Sequence, residues 1–114
     1  MFSKELLKGT LSALILKLLA DGGKMYGYEM ARRVREQSGN KILIKDGSLY
    51  PALQKMTEDG LVTFKEETVG GRIRKYYFLT SKGKKQGVAS LKELEDFVST
   101  ISMVAFPKSK LKAI

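Results

Sequence analysis

Two runs of β-forming residues in apolar–polar alternation, 61–68 and 74–79, flank the tip Val69-Gly70-Gly71-Arg72-Ile73. Alternation on both sides of glycines that tolerate positive φ closes a β-hairpin. Arg72, Arg74 and Lys75 give that hairpin a basic end. Elsewhere only the short run Lys41-Ile42-Leu43-Ile44-Lys45 reads as a strand. The rest of the chain carries helical spacing, so the fold class is mainly α with a small β wing.

The first helix is expected from Ser3 as cap, with Leu7, Leu11, Leu14, Ile15 and Leu18 at helical intervals and Asp21-Gly22-Gly23 as the stop. A second spans 26–37. It turns Met30, Ala31 and Val34 to one face and keeps Arg32, Arg33 and Arg35 on or beside the other, and Ser38-Gly39-Asn40 ends it. A third begins within 46–48, because Pro51 lacks an N–H and is expected in a first turn. There Leu49, Leu53 and Met56 point one way and Tyr50, Pro51, Gln54 and Lys55 point elsewhere, until Asp59-Gly60 terminates the helix. Thr80 or Ser81 caps a last helix that runs to about Phe106, where Pro107 stops it. At about 1.5 Å per residue that helix is roughly 40 Å long, longer than the body it leaves.

With 114 residues the chain makes one compact unit, divided into a body of 1–80, a helix of 81–106 and a basic, frayed tail of 107–114. Apolar residues make up 43% of it, enough to bury a core. It has no Cys, His or Trp, which removes disulfides, thiolate and imidazole metal sites, Cys or Ser–His nucleophiles and imidazole acid–base chemistry. No cluster of acid, base and nucleophile stands out, so neither an enzyme nor a cofactor or metal site is expected. The apolar stretch 11–20 is interrupted by Lys17 and too short to span a bilayer. No cleavage pattern follows the N-terminus, so a cytoplasmic protein without a membrane partner is expected.

The net charge is +9 and the sequence pI about 9.8, which favours an anionic partner. Three helices followed by a two-stranded wing form a winged helix-turn-helix, whose third helix is suited to the major groove of double-stranded DNA. The small residues at the start of that helix leave N–H groups free to approach a phosphate. Gln54 and Lys55 lie a turn further on, able to reach base edges or phosphates, and Arg72 and Arg74 can follow the backbone or enter the minor groove.

In the last helix Leu91, Leu94, Val98, Ile101 and Ala105 are spaced 3, 4, 3, 4, a heptad seam widened by Val88, Phe97 and Val104. A helix longer than its body has too little surface of its own to cover this stripe, so a homodimer is expected. Leu6, Leu7 and Leu14 of the first helix join the interface. Two recognition helices about 34 Å apart then read a pseudo-palindromic operator. The basic surplus is spread over both parts: 14 basic and 9 acidic residues in 1–80, against 7 and 3 in 81–114.

Three segments resemble the PadR family of bacterial transcriptional regulators. They are Tyr26-Gly27-Tyr28-Glu29-Met30, then Asp46-Gly47-Ser48-Leu49-Tyr50-Pro51-Ala52-Leu53 through Asp59-Gly60-Leu61-Val62, and Gly71-Arg72-Ile73-Arg74-Lys75-Tyr76-Tyr77-Phe78-Leu79-Thr80. The resemblance covers roughly 8–85, and the single helix beyond it resembles the compact subgroup of that family. It implies a dimeric winged helix-turn-helix repressor released by a small-molecule or stress signal. It also implies DNA contacts by Ser48, Tyr50 and Pro51 on the recognition helix and by Arg72, Arg74 and Lys75 on the wing, with Tyr28 and Glu29 on the second helix. Phe78 departs from the family, where a polar residue is common between the second Tyr and the Leu. Two other functions use the same scaffold: a protein-interaction adaptor, and a dimer that sequesters a small hydrophobic or aromatic compound near Phe97 and Val98.

Overall fold

The computed structural model describes residues 2–108, so the expected tail lies, from residue 109 on, outside the described residues. Ser3 accepts a hydrogen bond from the Leu6 amide and starts α1 (Lys4–Leu7), which is only one turn long. Gly9 then takes a left-handed φ of 91° and separates it from α2 (Leu11–Gly22). The single first helix expected from the leucine spacing is therefore two. Glycine reaches that conformation without steric cost, and the Thr10 hydroxyl fastens the break by donating to the Leu7 carbonyl at 2.8 Å. On α2 the buried face is also wider than the spacing indicated: Ala13, Leu16 and Leu19 are buried alongside Ile15 and Leu18.

Gly23 ends α2 and leads into β1 (Lys24–Met25), which no alternation announces. It pairs antiparallel with β3 (Arg72–Leu79), Lys24 opposite Phe78 and Met25 opposite Tyr77. The other edge of β3 pairs with β2 (Val62–Val69), giving the sheet order β1-β3-β2. The tip is tighter than the expected five residues. Gly70 and Gly71, with φ of 57° and 79°, make a two-residue turn directly between Val69 and Arg72. β1 covers β3 only at Tyr77 and Phe78, β2 covers its whole length, and the run 41–45 pairs with none of the three, so it is irregular chain rather than a strand. Ile42 and Ile44 still pack against the core, and Leu43 points outward.

Between these lie α3 (Gly27–Gln37) and α4 (Asp46–Glu58), close to their expected limits. Tyr26 precedes α3, and its amide donates to the Glu29 carboxylate at 3.2 Å, one half of a capping box. Glu29→Ala is expected to cost about 1 kcal/mol, read as a small drop in melting temperature without change of fold. Pro51 lies in the second turn of α4, not the first. The bond it lacks would have reached the carbonyl of Gly47, four residues back, and the helix tolerates that loss close to its start.

Ile15, Leu16, Leu18 and Leu19 of α2, Met25 of β1, Met30 and Val34 of α3, Leu49, Leu53 and Met56 of α4, Val62 of β2 and Tyr77 of β3 form one core. Burial holds the Tyr77 phenol above the usual tyrosine range, so it stays neutral. Thr80 accepts from the Gly83 amide and caps α5 (Ser81–Ala105). The first half of α5 lies on the body, with Gly83 and Gly87 buried and Leu91 and Leu94 half-buried. Its outer half leaves Phe97, Val98, Ile101, Met103 and Val104 exposed. No described helix is long and apolar enough to cross a membrane.

Candidate nucleic-acid interface

The buried triad Leu49, Leu53 and Met56 fixes the rotation of α4, so Tyr50, Pro51, Gln54 and Lys55 face outward. Helical periodicity leaves no other choice once three core positions are set. Lys55 also reaches Asp59 at 3.6 Å, an exposed pair one turn on that leaves the ammonium in water. Ser48 is half-buried in the first turn. The amides of Ser48 and Leu49 both donate to the Lys45 carbonyl at 2.9 Å. The free N–H groups expected at this helix start therefore reduce to those of Asp46 and Gly47.

Tyr50 leans onto the start of α3. A Cβ on Gly27 would come within 2.8 Å of its hydroxyl, so glycine is what lets the Tyr50 ring rest there undisplaced. From the same point an aromatic chain runs to the wing. The Tyr26 ring stacks with Tyr28 at 6.3 Å and meets Tyr76 edge-on at 5.4 Å. The Arg74 guanidinium sits 4.5 Å over Tyr26, and Lys24 lies 5.0 Å over Tyr76 while pairing with Glu67. That carboxylate, hydrogen-bonded to the ammonium, raises the Lys24 pKa above its ordinary value.

The sequence-derived site residues thus fall into three groups. Tyr28, Tyr50 and Arg74 join one contact chain, with Pro51, Gln54 and Lys55 on the adjoining face of α4. Arg72 is exposed beside the turn, on the same strand face as Arg74 by alternation. Lys75 lies on the opposite face, its ammonium 4.6 Å over the Phe64 ring, and so does not join them. Phe78 is half-buried on the central strand, between Lys24 and Thr63 in the sheet register. The sequence alone did not single out Lys24, and it marked Tyr26 and Gly27 only as part of a family-like segment, with no role in the site. The signal for them was a glycine between two tyrosines, legible only once Tyr50 is known to approach it.

A second feature lies beside Ser48. A groove of about 670 Å³ is lined by Phe2, Leu7, Leu11 and Leu14 on one side and Ile42, Leu43 and Ile44 on the other, with Lys4, Lys8, Lys41 and Lys45 around it. It places the half-buried Leu7 and Leu14 next to the segment that leads into α4. Among the described residues no cluster of acidic, Cys or His side chains could hold a metal ion.

Known proteins share this fold. Residues 15–88 match the model of the transcriptional regulator PadR-like family. The negative transcriptional regulator PadR of Bacillus subtilis strain 168 is 34% identical over 73 residues, which are 63% of this chain and 40% of that protein. A transcriptional regulator from Clostridium thermocellum superposes with a TM-score of 0.80 at 26% identity, over 87% of this chain and 96% of that one. Bacillus subtilis PadR in complex with operator DNA superposes with a TM-score of 0.66 at 32% identity, over 74% of this chain and 46% of that one. The matched stretch holds the core of α2, both helices of the contact chain, the whole wing and the start of α5. With these elements in this order, the chain belongs to the PadR-like family of transcriptional regulators.

Proposed function

We propose that the protein is a cytoplasmic, dimeric, sequence-specific DNA-binding repressor, released when a small hydrophobic or aromatic compound binds. The observation that carries this reading is the contact chain from Tyr50 through Gly27 and Tyr26 to Arg74, which ties the outward face of α4 to the basic wing. In the proposal α4 enters the major groove, with Gln54 and Lys55 reaching base edges or phosphates and Tyr28, Ser48, Tyr50 and Pro51 bordering the backbone. Arg72 and Arg74 follow the adjacent backbone or minor groove. Lys75, on the far face of the wing, contributes long-range charge rather than a contact. Residues 1–80 form the DNA-binding unit and 81–106 the dimerisation helix.

The dimer reading rests on exposed apolar surface. Phe97, Val98, Ile101 and Val104 are exposed on the outer half of α5, with Ala105 beside them, while α1 buries no residue of its own. Leu91 and Leu94 are half-buried against the body, so the outer half carries most of the contact. Ile101→Ala is expected to weaken self-association at least about tenfold, since each dimer loses the side chain twice. Sedimentation across a concentration series measures it. The groove of Leu7, Leu14 and Ile42–Ile44 gives an apolar effector a place next to Ser48.

Fragments of the DNA upstream of the protein's own gene test the reading. A saturable mobility shift is expected, with affinity falling steeply as salt rises, because each phosphate contact releases counterions. Binding no tighter than to random duplex at physiological salt overturns it and favours the adaptor function.

A further inference from the structure

The turn after α4 presents three consecutive carbonyls, and each receives a donor from the start of α5. The Lys82 ammonium donates to the Asp59 carbonyl at 2.8 Å. The Thr80 hydroxyl donates to the Gly60 carbonyl at 2.6 Å, and the Thr80 amide to the Leu61 carbonyl at 3.1 Å. A hydroxyl has one proton to give and lone pairs to accept with. The same Thr80 oxygen accepts from the Gly83 amide at 3.0 Å, so one side chain both caps α5 and grips the turn. The turn itself continues α4: the Gly60 amide donates to the Thr57 carbonyl at 3.0 Å and the Leu61 amide to the Met56 carbonyl at 2.9 Å. Gly83 brings the two backbones together, because a Cβ there would lie 1.9 Å from the Leu61 oxygen.

A helix of this length is a lever. Rotating a rod of about 37 Å by about 10° at its base displaces its far end by about 6 Å, close to two base-pair steps. If two protomers meet through the outer half of α5, the angle between α5 and α4 sets the separation of the two α4 helices. We propose that Thr80, together with Lys82, is a positioning pair that fixes this angle and so determines which half-site spacing the dimer accepts. The inference rests on the reading of α4 as the DNA-entering helix and of outer α5 as the dimer contact. Neither residue touches DNA in this account. They act through α4.

The chain has no native cysteine, so labels can be placed singly. Spin labels at Glu58→Cys on α4 and Glu95→Cys on α5, in protomers diluted with unlabelled chain, report the angle as an intramolecular distance. A narrow distribution is expected in the parent and in Thr80→Ser, which keeps the hydroxyl, and one at least twice as broad in Thr80→Val/Lys82→Met. Against duplexes whose half-site spacing differs by one base pair, the parent should discriminate by about tenfold and the double variant by less than about threefold. Affinity for a single half-site should stay unchanged.

A folded double variant with the parent's narrow distribution, or with its spacing preference intact, overturns the proposal. So does an equal loss on one half-site and on two, which would indicate general destabilisation. Should the double variant not fold, Thr80→Val and Lys82→Met separately carry the same two measurements. The distance measurement needs neither DNA nor a dimer. If it responds while the parent shows no spacing preference, the reading of α4 and α5 fails and the joint between them stands.

Discussion

Alanine at Arg72, Arg74 and Gln54 together is expected to lower affinity for an operator fragment about 100- to 1000-fold while the chain still folds. Each arginine that neutralises a phosphate contributes close to one released counterion, so the slope of log affinity against log salt should shrink by about 2. Gln54 adds a base-edge contact worth about 1–3 kcal/mol, and its loss should relax sequence preference instead of the salt slope. The two arginines should not be equal. Arg74 is half-buried over Tyr26, so its removal also loosens the wing against α3, whereas Arg72 stands free beside the turn. Lys75→Ala should change affinity by only a few-fold, because its ammonium lies over Phe64 on the opposite face. Titration of a labelled duplex at several salt concentrations separates these effects. Triple-variant binding within a few-fold of the parent would place the interface elsewhere on the molecule.

What the sequence disclosed follows from which interactions are local. The hairpin, the rotation of α4 and the cap of α5 depend on residues a few positions apart, and each is found close to where residue pattern alone puts it. Departures arise where a distant partner decides. Residues 41–45 have strand-like composition, yet they pair with no strand of the sheet, and Ile42 and Ile44 pack against the core instead. Lys24 and Met25 have no strand pattern and become strand because Phe78 and Tyr77 lie opposite. The break at Gly9 was written in the sequence, but a leucine every three or four residues on both sides of it conceals the interruption. For the candidate interface, outward residues could be named singly, while the link from Tyr50 to Gly27 and Arg74 is a three-element contact that no local spacing encodes. The far-face placement of Lys75 is local by contrast, since strand alternation alone assigns it.

The glycines of α5 offer a test in which one substitution has opposite signs a single turn apart. Alanine is better than glycine in a helix interior by about 1 kcal/mol, so a free position should gain stability. Gly87 is nearly such a position: an added Cβ would meet the Leu16 Cβ at 3.5 Å, an ordinary van der Waals contact. Gly87→Ala is therefore expected to stabilise the protein by about 0.5–1 kcal/mol, through helix propensity and a new apolar contact. At Gly83 the same methyl would come 1.9 Å from the Leu61 oxygen and 2.9 Å from its carbonyl carbon. Backbone cannot swing aside as the end of a side chain does. The start of α5 must lift off the turn, which stretches the Thr80 and Lys82 hydrogen bonds and opens the adjoining core. Overpacking of this kind costs about 3 kcal/mol or more, well beyond the propensity gain. For a chain of this size that lowers the melting temperature by about 10 °C or more, against a rise of a few degrees for Gly87→Ala. Parallel thermal melts of the two variants decide the matter. If Gly83→Ala melts at or above the parent, α5 does not rest on the α4 turn as described, and the lever that would set operator spacing loses its fulcrum.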